Sequence, residues 1–167
     1  VVALLGLGGI GKTSLAAQCI RTLALSDAGS CFEAIYWRSL VNAPPLPDLL
    51  SPLLQLLSDQ QLTILPESID EQLRLLLDYL CERRVLLVLD NLESILAPEQ
   101  AGAYRPGYES YEQLIHQLAV LPHQSHLLLT SREHPHGYAR LERDGYPIRA
   151  LSLVGLDDAA GRQLLTQ

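Results

Sequence analysis

The stretch GLGGIGKT, residues 6–13, is the most informative part of this chain. It consists of a glycine, four residues, a second glycine, a lysine and a threonine, which is the pattern of a phosphate-binding loop. The apolar run 1–5 precedes it, and the helix-like stretch 14–24 follows it. A strand, a glycine-rich loop and a helix in this order are the context in which the pattern binds a nucleotide. The sequence therefore predicts a P-loop.

Each residue type in this loop has a physical reason. Glycines lack a Cβ, so the backbone can take positive φ and approach a ligand closely. Successive backbone N–H groups form a concave site for an anion, and the helix that follows points the positive end of its dipole there. Lys12 is expected to contact the β- and γ-phosphates and Thr13 to bind Mg²⁺, whereas Ser14 either contacts the α-phosphate or only occupies the first helical turn. The expected nucleotide-binding residues are Gly6, Gly8, Gly9, Ile10, Gly11, Lys12, Thr13 and Ser14.

The composition limits the classes of function. The chain has 167 residues, is 48% hydrophobic and carries a formal net charge of −7. An acidic domain is poorly suited to non-specific nucleic-acid binding, which depends on cations that neutralise phosphates. No apolar run approaches the ~20 residues of a membrane span. The 3 cysteines are odd in number and form no CxxC pair. We therefore expect a cytoplasmic protein with reduced thiols that binds neither membranes nor, directly, nucleic acid.

The chain contains no methionine, and its first residue already belongs to the first apolar run. We therefore expect residues 1–167 to be the nucleotide-binding core of a longer protein with several domains. The neighbouring domains of that protein would then lie on either side of this core.

Strand-like and helix-like segments alternate along the chain. This alternation predicts an α/β three-layer sandwich with a parallel sheet. Ligands in such sheets bind beyond the carboxyl ends of the strands. The expected strands are residues 1–5, 33–40, 85–89, 126–130 and 148–153. Helices are expected at 14–24, at 49–57, after a capping box at 68–71, after a cap at 110–113, and from 155 onward.

Two charged residues directly follow expected strands. Asp90 ends the run VLLVL, the position of a Walker B acid, where it would hold a water on the Mg²⁺ that Thr13 binds. The alternative is an Asp that only caps the following loop. Arg132 follows HLLLTS, and a guanidinium there could bind the γ-phosphate through paired hydrogen bonds. The alternative is a surface Arg paired with Glu133. The expected catalytic residues are Lys12, Asp90 and Arg132.

The segment 97–109, together with the tyrosines that follow it, has an open role. It is polar and contains glycine, tyrosine and arginine. It is either a simple connection or a surface for a partner, because binding residues concentrate on loops and interfaces are rich in Tyr and Arg.

Four motifs in this order resemble the nucleotide-binding core of an NB-ARC domain, also called an AP-ATPase, in the STAND class of P-loop NTPases. They are GLGGIGKTSLA, FEAIYWRSL, VLLVLDNLES and LLLTSRE. The closing LSLVGLDDAAGRQLL is similar to the segment that follows the sensor residue in that family. The DNLES and RPGYE sequences resemble the bacterial branch. The resemblance covers nearly the whole chain.

The resemblance implies a specific fold and function. The sheet would be of the additional-strand type, in the order 5-1-4-3-2. The protein would be a switch, inactive with ADP and assembling with ATP, that acts through self-association of neighbouring domains and through sensor and effector domains. Lys12 would contact phosphates, Thr13 and Asp90 would bind Mg²⁺, and Arg132 would sense the γ-phosphate. The lid and winged-helix subdomains of the family would follow the end of this chain.

One departure from the family pattern affects catalysis. Many relatives carry an acid directly after the Walker B Asp, where this chain has Asn91, which cannot accept a proton as a general base. Glu93 is the nearby candidate to replace it. We therefore expect slow ATP hydrolysis. The alternatives are a AAA+-like ATPase or nucleotide kinase, or a module that binds nucleotide without hydrolysing it. The absence of a guanine-reading N/TKxD motif favours ATP over GTP.

Overall fold

A sheet of five parallel strands organises the chain. In the computed structural model, which describes residues 1–25, 32–62 and 64–155, these strands are β1 (Val2–Leu5), β2 (Ala34–Ser39), β3 (Val85–Asp90), β4 (His126–Ser131) and β5 (Arg149–Ser152). Their spatial order is β2-β3-β4-β1-β5, and the neighbouring strands pair in parallel. Read from the other edge this is 5-1-4-3-2, so the predicted order is confirmed.

Helices connect the strands within the described part of the chain. They are α1 (Lys12–Leu25), α2 (Leu46–Leu57), α3 (Ile69–Glu82), α4 (Glu109–Val120) and α5 (Tyr138–Arg143), with a 3₁₀ turn at Leu92–Ile95. None of the described helices combines the length and apolarity needed to cross a membrane. The helix expected from residue 155 onward falls almost wholly outside the described residues.

The two faces of the sheet are covered differently. Successive strand residues point to opposite faces. Leu87 and Leu89 of β3 belong to a cluster of buried residues with the apolar faces of α2, α3 and α4. Leu86 and Val88, which alternate with them, are also buried, on the face where α1 contacts β1 and β4. Since β3 is buried on both sides, its continuous apolar run VLLVL has a direct explanation in a three-layer arrangement.

Two predicted helix starts differ from the structure, and one predicted cap lacks its hydrogen bond. Helix α2 begins at Leu46 rather than at residue 49, because Pro47 lies in the first turn, where a missing N–H breaks no helical hydrogen bond. Ser68 is the N-cap of α3, but its side chain makes no capping hydrogen bond, so the predicted capping box does not form. Helix α4 begins at Glu109 after the N-cap Tyr108, so the cap predicted at Ser110 is also wrong.

The tyrosines near the start of α4 pack inward. The Tyr108 hydroxyl donates to the Ala43 carbonyl at 2.6 Å, and that of Tyr111, which is fully buried, donates to the Pro44 carbonyl at 2.9 Å. Burial raises the pKa of Tyr111 far above its ordinary value, so its hydroxyl remains a donor. These two tyrosines therefore join α4 to the loop after β2, rather than being presented to a partner.

The segment 97–104 is docked against the loop that follows β4. Gly102 has φ of +75°, and a Cβ added to it would lie 2.3 Å from the His134 carbonyl oxygen. Its N–H donates to Oε2 of Glu133 at 3.2 Å, and its carbonyl accepts from the His136 N–H at 2.7 Å. A glycine is required here for both conformation and space. The contact fixes the backbone directly after Arg132.

Candidate nucleotide-binding site

The P-loop connects the end of β1 to the start of α1. Gly9 has φ of +80° and Gly11 has φ of +96°, and a Cβ at either position would meet no atom within 4 Å. Glycine is therefore needed at these two positions for conformation and not for space. The N–H of Gly6 donates to the Ser131 carbonyl at 3.2 Å, which ties the loop to the end of β4.

The Lys12 ammonium lies within the loop. The residue is only 8% exposed, and its Nζ donates to the carbonyl oxygens of Gly6 at 2.7 Å and Leu7 at 3.0 Å. These bonds hold the positive charge at the centre of the loop. An anion bound there would interact with both this charge and the backbone N–H groups. The predicted role of Lys12 at the phosphates fits this position.

Three oxygen-bearing side chains meet below the loop. Asp90, at the carboxyl end of β3, is 6% exposed, and its Oδ1 accepts from Thr13 Oγ1 at 2.8 Å and from Thr130 Oγ1 at 2.6 Å. Carboxylate and hydroxyl oxygens are the donors that Mg²⁺ prefers. Thr13 and Asp90 thus fit the predicted metal site.

Thr130 was not identified from the sequence. Its hydroxyl donates to Asp90 and accepts the Asn91 N–H at 2.8 Å, and the residue is almost fully buried. The sequence feature that could have identified Thr130 is its place as a polar residue at the carboxyl end of an apolar strand, the edge where the site is expected. Because β4 lies between β3 and β1, this residue reaches the acid from the neighbouring strand.

Arg132 lies across the P-loop and pairs with Glu93. Its Nε is 3.0 Å from Glu93 Oε1, and its Cζ and Nη2 lie 3.1 Å from where a Cβ on Gly8 would be. Glu133, the alternative partner predicted for Arg132, instead accepts from the Gly102 N–H. The guanidinium is thus at the loop, as a γ-phosphate contact requires, but its partner is an acid from a different element.

The residue after Asp90 supplies an amide and not a carboxylate. Asn91 has φ of +69°, and its side-chain amide donates to the Ser94 hydroxyl. Glu93, within the 3₁₀ turn, supplies the carboxylate instead, and its side chain is 14% exposed. Glu93 Oε2 is buried and has no hydrogen-bond partner within the described residues. The sequence indicated Glu93 as a candidate, and the tertiary structure places it beside the P-loop.

These elements enclose an open cavity of about 260 Å³. A whole small-molecule site usually measures ~300–1,000 Å³, so this cavity suits the phosphate end of a nucleotide. Three predicted residues do not line it. They are Gly6, Ile10, whose side chain lies against Gly6, and Asp90, which is hydrogen-bonded to Thr13 and Thr130. The lining residues are Gly8, Gly9, Gly11, Lys12, Thr13, Ser14, Asn91, Glu93, Thr130 and Arg132.

The model of the NACHT domain family matches residues 1–166. The chain belongs to the NACHT family. NACHT domains are P-loop NTPases of the STAND class, so the class predicted from the motifs is confirmed, whereas the NB-ARC family within that class and the bacterial branch are not.

A relative in sequence is an uncharacterized WD repeat-containing protein of Nostoc sp.. The NACHT chain is 45% identical to it over 168 residues, which cover 98% of the chain. The matched region is 13% of the relative's length, so most of that protein has no counterpart in this chain.

Solved structures share the fold of the NACHT chain. The Aeropyrum pernix ORC2 protein in its ADP form has a TM-score of 0.63 at 19% identity, covering 99% of this chain and 45% of that one. Drosophila ORC bound to GC-rich DNA and Cdc6 has a TM-score of 0.61 at 14% identity, covering 99% of this chain and 57% of that one. C. elegans PCH-2 has a TM-score of 0.52 at 17% identity, covering 98% and 37%. At these identities the likeness shows the fold alone.

Proposed function

We propose that this NACHT chain is the ATP- and ADP-binding core of a regulatory STAND switch that hydrolyses ATP slowly. The observation that carries the proposal is the single cavity that brings together Lys12, Thr13, Glu93 and Arg132. A cation within a glycine loop, a hydroxyl bonded to a buried carboxylate, a further acid and a guanidinium are the groups that nucleotide binding and phosphoryl transfer need.

Each residue has a proposed role. The P-loop N–H groups and Lys12 bind the phosphates, while Thr13 and Asp90 hold Mg²⁺. When bound, Mg²⁺ would neutralise charge on the phosphate oxygens. Thr130 orients the Asp90 carboxylate through its 2.6 Å hydrogen bond. Arg132 provides the charge that distinguishes a third phosphate, because a guanidinium binds phosphate oxygens through paired hydrogen bonds.

Glu93 is the proposed general base. Glu93 lines the cavity, and a carboxylate can accept a proton from water, which the amide of Asn91 cannot do. In the structure one of its oxygens is bonded to Arg132. This engagement lowers its availability as a base and supports slow turnover.

The regulatory part of the proposal concerns the whole protein. Membership of the STAND class and the NB-ARC-like motifs support nucleotide-controlled self-association through neighbouring domains, with separate sensor and effector regions in the cytoplasm. The WD repeat-containing relative supports repeats elsewhere in the full protein. The net charge of −7 supports the absence of direct nucleic-acid binding by this core.

A second candidate is a module that binds nucleotide without hydrolysing it. The Arg132–Glu93 pair favours it, because a carboxylate oxygen that stays bonded to a guanidinium is not free to accept a proton from water. A measurable, Glu93-dependent release of phosphate would exclude this candidate.

Calorimetric titration with ATP and with ADP, each with and without Mg²⁺, tests the proposal. We expect both nucleotides to bind, and Mg²⁺ to tighten ATP binding. Lys12→Ala should abolish binding and the nucleotide-induced rise in melting temperature. Arg21→Ala is the matched control, since Arg21 is an exposed cation on the same helix. An unchanged melting shift in Lys12→Ala would overturn the assignment.

A further inference from the structure

We propose that Glu93 sets the preference of the site between a nucleoside triphosphate and a diphosphate, by competing with the γ-phosphate for Arg132. This inference rests on the proposed function, since it takes the site to bind both nucleotides. Glu93 would then be a specificity-determining residue in addition to its proposed role as a base.

The first support is the position of the guanidinium. Arg132 Nε bonds Glu93 Oε1 at 3.0 Å, while its Cζ and Nη2 lie above Gly8 of the P-loop. One cation thus contacts the acid and covers the loop that receives the phosphates. A guanidinium recognises carboxylate and phosphate through the same fork of N–H donors, so the two anions are direct competitors.

The second support is the difference in burial between the partners. The Glu93 side chain is 14% exposed and the Arg132 side chain is 64% exposed. Glu93 is held between the fully buried Leu92 and Ile95 of the 3₁₀ turn. The acid is therefore fixed, whereas the long Arg side chain can exchange partners by rotation about its own bonds.

The third support is that the pair is incomplete. Glu93 Oε2 is buried, and no donor reaches it within the described residues. A bidentate Arg–carboxylate pair would use both oxygens, but this one uses a single hydrogen bond from Nε. A pair held by one hydrogen bond can be broken for another anion at a smaller cost than a bidentate pair.

The consequence differs between the two nucleotides. A diphosphate leaves the Arg132–Glu93 pair in place, so the affinity for a diphosphate is not reduced by breaking that pair. A triphosphate must take Arg132 from Glu93, and the loss of that pair is subtracted from its affinity. The same exchange releases the Glu93 carboxylate only when a γ-phosphate is present. Glu93 thereby shifts the binding preference of the site toward the diphosphate.

The test is the ratio of dissociation constants for ADP and for the non-hydrolysable triphosphate AMP-PNP, measured with Mg²⁺ by calorimetry on the purified protein. Glu93→Gln keeps the size of the side chain and removes its charge. We expect AMP-PNP to bind about threefold to fivefold more tightly, the range of a partly exposed ion pair, and ADP to change by less than about twofold. An unchanged ratio overturns the inference.

Two further variants separate competition from simple charge repulsion. Glu133→Gln makes the same change in charge beside Arg132, but at a carboxylate that binds Gly102, and should leave the ratio unchanged. In an Arg132→Ala background, Glu93→Gln should no longer tighten AMP-PNP binding. If it does, the acid repels the phosphate directly and the competition is refuted. If the wild-type protein binds neither nucleotide, the proposed function fails and this inference fails with it.

Discussion

The Thr13 hydroxyl donates a 2.8 Å hydrogen bond to Oδ1 of Asp90, 77 positions further along the chain. The bond joins the first turn of α1 to the carboxyl end of β3, directly below the P-loop. The same Asp90 oxygen also accepts from Thr130, so three elements of the fold meet at one carboxylate.

Thr130→Val should destabilise the protein by about 1–3 kcal/mol, because the Asn91 N–H loses its acceptor and Asp90 loses a donor. Valine has nearly the same shape, so packing changes little. The free energy of unfolding in urea measures the loss. The Mg²⁺ dependence of nucleotide affinity should weaken in parallel, since the carboxylate is no longer oriented.

Thr130→Ser is the matched control, because it keeps the hydroxyl and removes only a methyl group. We expect it to cost about 1 kcal/mol and to preserve the Mg²⁺ dependence. If the two variants lose stability equally and both keep the Mg²⁺ dependence, Thr130 acts by packing and not through its hydrogen bonds.

Arg132→Ala should weaken ATP binding more than ADP binding, because only ATP carries the phosphate that this guanidinium is proposed to contact. We expect about a tenfold larger loss for ATP, the size of a charge-assisted hydrogen bond. Paired calorimetric titrations measure the two losses. Arg140→Ala, at a side chain that is 81% exposed, should change neither. Equal losses for ATP and ADP in Arg132→Ala would count against a γ-phosphate sensor.

Gly102→Ala should reduce the free energy of unfolding by about 2–5 kcal/mol, because the new Cβ meets a backbone oxygen and the residue has positive φ. Gly107→Ala is the control, since φ there is +89° and no atom lies within 4 Å of the added Cβ. It should cost only about 1–2 kcal/mol of backbone strain. Similar losses in urea denaturation would mean that the contact with the His134 carbonyl contributes nothing.

Glu93→Gln should lower the rate of ATP hydrolysis about 100-fold, the contribution of a general base. Asn91→Asp should change the rate by less than about threefold, because the side chain at this position is held by its hydrogen bond to Ser94, although Asn91 lines the cavity. Single-turnover release of phosphate measures both rates. A large gain in Asn91→Asp would instead place the base at position 91 and indicate a switch that this Asn dampens.

The architecture could be predicted because its signals are local. The apolar run of β3 indicates a strand buried on both faces, and the glycines followed by Lys12 and Thr13 need only the strand before them and the helix after them. Ser68 is the N-cap of α3 as predicted, without the capping hydrogen bond, whereas the cap predicted at Ser110 is wrong. Capping depends on which side chain reaches the first turn, and the contacts of Tyr108 and Glu109 decide this for α4.

The P-loop and the positions of the Walker B acid and the arginine after β4 could be predicted from sequence patterns, and the strand order from the resemblance that the motifs carry. The contacts between side chains could be found only in the folded chain: Thr130 with Asp90, Arg132 with Glu93, and Gly102 with the segment after Arg132. The difference lies in the distance along the chain over which each interaction acts. Periodicity and turn chemistry act within a few residues, whereas a hydrogen bond between two strand ends depends on the register and twist of the whole sheet.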